Sequence, residues 1–254
     1  MIRSPRRRLT AIAVMGALAV VALAGCRTDA GSAAYVGNTR ITTDQVNDVI
    51  DSAPQLSADL TGARQEVVND LVYLAAVQKF AAANKIKLTP VDDATREQYA
   101  QAYQVPNDAA HRKFIDFEAS VSNWTQDLLK AQPGSTPSDA DLMRLFNELK
   151  ADFPEGTTFD QAKPTLLNVP NVRQGIELRN GLEKAFQDYD ISISPMYTAK
   201  CTKAPCAAPT VPLVSVQGQD GRPITVVSLP LTEGNASPAV VDLPSAVASA
   251  PAQS

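Results

Sequence analysis

Apolar residues along the chain alternate between helical and extended spacing, and the change of period outlines the fold. Ala33 to Ile41 reads as two short extended pieces about a Gly37-Asn38 turn. Thr42 with Gln45 three residues on forms a capping box, opening a helix over 44–51 with Val46, Val49 and Ile50 on one side. The segment from Gly62 to Asn84 carries Val67, Val68, Leu71, Val72, Leu74, Val77 and Phe80 on more than one face, the pattern of a central buried helix. Thr89-Pro90-Val91-Asp92 predicts a helix start with Thr89 as cap, running to Tyr103. A helix over 108–130 follows Pro106-Asn107, with Phe114, Phe117, Val121, Trp124 and Leu128 at three-and-four spacing, and stops at Gln132-Pro133-Gly134. Thr136-Pro137-Ser138-Asp139 repeats the start signal before Leu142, Leu145, Phe146 and Leu149. A short Pro-containing helical stretch lies within 153–168, and an amphipathic helix spans 173–189. Ile191–Ser194 alternates as a strand, and 211–216 and 224–231 read as a hairpin around a loose Gly218–Arg222 loop. The fold class is mainly α, with a small β element and a C-terminal hairpin.

Both ends depart from this globular pattern. Four arginines open the chain, and Leu9–Ala24 is apolar or small without charge. That is the architecture of a secretory signal over 1–25, too short for the roughly 20 residues a spanning helix needs. It ends in Leu23-Ala24-Gly25-Cys26, which resembles the lipobox of bacterial lipoproteins. The resemblance implies cleavage before Cys26, its acylation, and a mature protein held at the extracytoplasmic face of the cell membrane. Pro5-Arg6-Arg7-Arg8-Leu9 weakly resembles a twin-arginine signal, which leaves the export route open. Residues 26–32 then act as a lipidated tether, and the Ala, Ser and Pro-rich stretch 232–254 reads as a disordered tail.

Charge and cysteine content narrow the function classes. The formal net charge is −4, and losing the four leader arginines leaves −8. An acidic chain without a basic stripe gives no footprint for nucleic acid. Apart from Cys26 the cysteines are Cys201 and Cys206. An oxidising compartment favours a disulfide between them, closing a short loop, over two free thiols. His111 is the only histidine, so zinc has no ligand set and a Ser-His-Asp triad would depend on one residue in a His-Arg-Lys sequence that reads as solvated helix surface. With no Gly-rich phosphate loop, the residues suggest neither an enzyme nor a bound cofactor or metal.

Four stretches in order resemble the N-terminal module of SurA-type periplasmic chaperones and the related PrsA-like foldases. They are Ala34-Tyr35-Val36-Gly37-Asn38-Thr39-Arg40-Ile41-Thr42, Arg64–Val72, Ile86-Lys87-Leu88-Thr89-Pro90-Val91-Asp92, and Asp190-Ile191-Ser192-Ile193-Ser194-Pro195-Met196-Tyr197. The resemblance covers 33–197 and implies a helical chaperone module whose first and last strands pair, with 198–231 as an added disulfide loop and hairpin. The parvulin isomerase domain common in that family has no room between Lys150 and Arg173, and its paired histidines are missing. The implied activity is a lipid-anchored holdase for unfolded or newly exported polypeptides. The alternatives are an envelope lipoprotein that binds one specific partner and, more remotely, a prolyl isomerase dependent on His111. A holdase needs exposed apolar surface. Phe114, Phe117, Trp124 and Phe146 are the candidates for a client-facing wall, the competing reading being that the same stripe is helical core.

Overall fold

The computed structural model describes residues 31–53, 60–197, 210–217 and 223–231. The signal segment, Cys26, most of the tether, Cys201, Cys206, Gly218–Arg222 and the tail lie outside the described residues. The described chain is mainly helical with small antiparallel sheets. None of its helices is long and apolar enough to cross a membrane.

Strand β1 (Ser32–Val36) turns into β2 (Thr39–Thr42) through Gly37, whose φ is +58°. A Cβ there would also lie 3.1 Å from the Tyr189 carbonyl oxygen, so conformation and space both favour glycine. β1 is the middle strand of its sheet. Its other edge pairs antiparallel with β3 (Ile191–Ile193), placing Ala34 opposite Ile193 and Val36 opposite Ile191. This is the strand pairing expected between the two ends of the 33–197 stretch from its resemblance to the chaperone module. Helix α1 (Thr43–Asp51) begins at the expected capping box, with Gln45 N–H donating to Thr42 Oγ1 and Thr42 N–H to Gln45 Oε1.

Helix α2 (Leu60–Ala83) is the central helix, with Val67, Val68, Val72, Tyr73, Ala76 and Val77 buried. It packs against α1, both strands of the N-terminal hairpin, and later helices.

The next three helix starts correct the sequence reading. Helix α3 (Asp93–Tyr103) is capped by Asp92, whose carboxylate accepts Thr95 N–H at 2.8 Å. Thr89 is instead held by helix α4 (Arg112–Ala131): its N–H donates to Asp127, and its carbonyl accepts the Trp124 indole N–H. α4 starts later than expected because Asp108 gathers the Ala110 and His111 N–H groups and the His111 ring into a separate turn. Helix α5 (Asp139–Glu148) is capped by Ser138 in a capping box with Asp141, not by Thr136. In both Thr-Pro signals, the acceptor nearest the apolar run takes the cap.

A 3₁₀ turn at Lys150–Asp152 leads to α6 (Phe159–Leu167), which carries Pro164, and to α7 (Val172–Tyr189). The hairpin of β4 (Thr210–Gln217) and β5 (Pro223–Pro230) lies on α7 and α2. Its Val211, Leu213, Val214, Val226, Val227 and Leu229 belong to the same hydrophobic cluster as the helical module. The boundary expected after Tyr197 therefore does not separate an appendage from a core. Gly175 makes the contact close: a Cβ there would stand 2.4 Å from Val214 Cγ2 and 3.3 Å from Val227 Cγ2.

Candidate functional site

The aromatic stripe is core, which corrects the client-facing wall. Phe114, Phe117 and Phe146 are buried. Trp124 is half-buried against the same cluster and spends its indole N–H on Thr89. Phe114 meets Tyr103 edge to face at 5.0 Å between ring centroids, and Phe146 lies between Phe153 and Phe159. The reason is geometric: the three-and-four spacing that makes a stripe turns the α4 residues towards α1, α2 and α3, and Phe146 of α5 towards α6, and burial there removes the apolar surface from water. His111 is not a solvated surface residue. Its side chain is 18% exposed, with Nδ1 2.7 Å from Asp108 Oδ1 in the turn before α4.

The principal concavity lies elsewhere. Two adjacent cavities of about 580 and 410 Å³ share Glu118, Val121 and Pro212 and together make a groove region bordered by α2, α3, α4 and β4. From α3 come Gln98 and the loosely stacked Tyr99 and Tyr103, whose centroids are 6.4 Å apart. Helix α4 gives Glu118, Val121, Thr125 and Gln126, and β4 contributes Thr210, Pro212 and Ser215. The α2 end holds Gln65, Glu66, Asn69 and Asp70. This mixture of ring faces, amides and carboxylates suits hydrogen bonding to an extended ligand.

Behind Thr125, which lines the groove, lies a buried pair of linked hydroxyls. Thr125 Oγ1 donates to the Val121 carbonyl at 2.6 Å, which leaves Tyr73 to donate to Thr125 Oγ1 at 2.8 Å. Tyr73 is fully buried, and burial is the main reason its phenol is pushed well above the usual range. On the wall, Tyr103 O–H donates to Glu118 Oε2 at 2.7 Å. Burial first and this bond second raise the Tyr103 phenol. Glu118 is itself raised by burial, with the Tyr103 bond opposing and Glu66 adding to the rise. Asp70 is pushed up to about 7, by burial first and then by Glu118 and Glu66.

Sequence reasoning missed this carboxylate set. Its one visible signal was Asn69-Asp70 interrupting the valines of an otherwise apolar helix; Glu118 joins only because α4 packs beside α2. Among the described residues, no group of side chains is arranged to hold a metal ion.

The fold and groove thus define a mainly α module with small antiparallel sheets and two adjacent cavities of mixed polar and apolar lining. No family model matches the chain, and no curated protein or solved structure matches it either.

Proposed function

We propose that this protein is a lipid-anchored, extracytoplasmic polypeptide-binding protein of the SurA type, a holdase that works without catalysis. Its clients are short segments of unfolded or newly exported chains, bound in the groove between α2, α3, α4 and β4. The groove carries this reading: it is open, and its tyrosine rings and hydrogen-bonding side chains suit an extended backbone. The β1–β3 pairing is the closure that the SurA resemblance implies. The lipobox-like Leu23-Ala24-Gly25-Cys26 supports the anchor. Two or more acyl chains on one residue give lasting attachment, at about 0.8 kcal/mol per buried CH₂.

Capture in a groove replaces capture on a broad apolar wall. Among the described residues the exposed large apolar side chains are Tyr103, Met143 and Met196, too few to make a patch of the size that marks such walls. The same scarcity favours a second reading, an envelope lipoprotein that takes one defined partner in this groove.

The test is light scattering from a chemically unfolded model protein diluted with the full chain, against an inert acidic protein as control. Suppression at near-stoichiometric ratios, lost in a Val121→Arg variant that blocks the groove, is the expected result. No suppression, with a single partner recovered by crosslinking from the membrane, would replace the holdase by the one-partner lipoprotein.

A further inference from the structure

The three-stranded sheet gathers the start of β1, the end of β2 and the end of β3 at one end of the module, because both partners of β1 run antiparallel to it. The chain enters the described fold there, at Gly31, whose carbonyl accepts Thr43 N–H at 3.0 Å. Past β3 the chain turns sharply at the same end. Ser194 N–H donates to the Ala33 carbonyl at 2.8 Å, Tyr197 N–H donates to the Ser194 carbonyl at 2.9 Å, and Tyr197 O–H meets Thr43 Oγ1 at 3.4 Å. Pro195-Met196 is the middle of that turn. Met196 is 82% exposed, against 40% for Tyr103 and for Met143. Beside it in this corner stands Arg40 of β2, which is exposed, with Nη2 3.7 Å from where a Gly31 Cβ would lie and Nε bonded to Ser32 Oγ at 2.6 Å. Among the described residues no carboxylate pairs with Arg40. The end of the fold nearest Cys26 thus presents its most exposed large apolar side chain together with a cation.

We propose that this end of the module is a membrane-contact face, with Met196 set into the bilayer interface and Arg40 among the phosphates of its headgroups. The inference rests on Cys26 carrying the lipid, and it says which way the anchored module stands. Five residue steps separate Cys26 from Gly31, a reach of about 18 Å at full extension. A domain of this size is roughly 40 Å across, so the anchor holds this end at the surface and keeps the opposite end away from it. A thioether is apolar and adaptable, and an arginine stem lies along apolar surface while its head stays with anionic groups. Asp44, exposed in the first turn of α1, opposes Arg40 in the attraction to anionic headgroups. The contact is therefore weak by itself, and the anchor sustains it by raising the local concentration of lipid at this face.

The experiment is hydroxyl-radical footprinting, read by mass spectrometry, of the acylated full chain reconstituted alone in vesicles of phosphatidylethanolamine and phosphatidylglycerol. The soluble Cys26→Ala chain is the reference. Oxidation of Met196 is expected to fall several-fold on the vesicles, while Met143 on α5 oxidises at the same rate in both samples. Arg40 is exposed, so Arg40→Glu leaves the fold intact and should return Met196 on vesicles most of the way to its soluble rate. Equal oxidation of Met196 in the two samples overturns the contact face, and so does protection shared equally by Met143, which is general shielding by lipid. Full protection in the Arg40→Glu chain overturns the pairing with headgroups. Protection in native membranes that is absent from the protein-free vesicles assigns the face to a protein partner and overturns it too. Flotation with the vesicles reads the anchor separately. A chain that floats with Met196 unprotected loses the face and keeps the anchor, whereas a chain whose Cys26 bears no lipid loses both.

Discussion

Asp70 and Arg179 are two ionisable groups held under opposite pressures. Asp70 has a folded-state pKa of about 7 against an ordinary value of 3.8. The folded state therefore binds more protons than the unfolded state between those values, and stability falls as pH rises from about 4 to about 7. Asp70→Asn removes that penalty. Thermal melts across this range should show the variant gaining on the parent as pH rises, with the gain levelling above about 7. Arg179 is 0% exposed, with Nη1 3.2 Å from Glu148 Oε2 and no partner on Nε or Nη2. Its guanidinium is held below the ordinary range by burial first and by Arg144 next, against the pull of Glu148, Glu183 and Asp141. Breaking a buried pair costs about 3–5 kcal/mol, whereas replacing a buried charge by an apolar group of similar volume is often neutral or stabilising. Glu148→Ala should therefore lower stability by about 3 kcal/mol, and Arg179→Met by far less, as measured by urea unfolding.

At the scale of elements, α7 organises the core by leaving side chains out. At Gly175 an added Cβ meets Val214 at 2.4 Å, inside a hairpin fixed to the helix on that side. The usual gain of up to about 1 kcal/mol for Gly→Ala in a helix is outweighed there by overpacking, worth about 1–3 kcal/mol. Gly181 meets only the Phe80 ring end, at 3.3 Å. Gly175→Ala should lower the melting temperature and Gly181→Ala should leave it nearly unchanged, a contrast that helix propensity alone would not produce. The Arg144 guanidinium joins α5 to α7 through both oxygens of Glu183, and Glu148 on α5 reaches Arg144 and Arg179 together. This fixes the α5–α6 unit against α7 without reaching the groove, so changes here are expected to alter stability with little effect on peptide affinity.

For the whole molecule, the chain ends matter most. β3 closes on β1 across most of the sequence, and the hairpin after it shares the central hydrophobic cluster. A chain ending at Tyr197 would uncover the face of α7 at Gly175 and lose the β4 wall of the groove. It is expected to bind a dye for exposed apolar surface and to have lost cooperative unfolding, whereas an independent extension would be removed without either change. At the other end, Cys26→Ala should move the protein from the membrane fraction to the soluble fraction, because the proposed anchor is lipid rather than a spanning helix.

The sequence by itself determined the element order, the central apolar helix and the capping box at Thr42 and Gln45. Each is encoded locally, by a period of apolar residues or by a side chain that bonds the backbone three residues away. Tertiary structure decided which of two competing caps was used, since Thr89 was claimed by Asp127 and Trp124 of another helix. It also decided that Phe114, Phe117 and Phe146 face inward. A helical stripe states that one face is apolar but not whether another element covers it. The groove was legible only as a polar interruption at Asn69-Asp70, because its walls come from α2, α3, α4 and β4, and the shift of Asp70 arises from a desolvation and a Glu118 neighbour that exist only once those elements have packed.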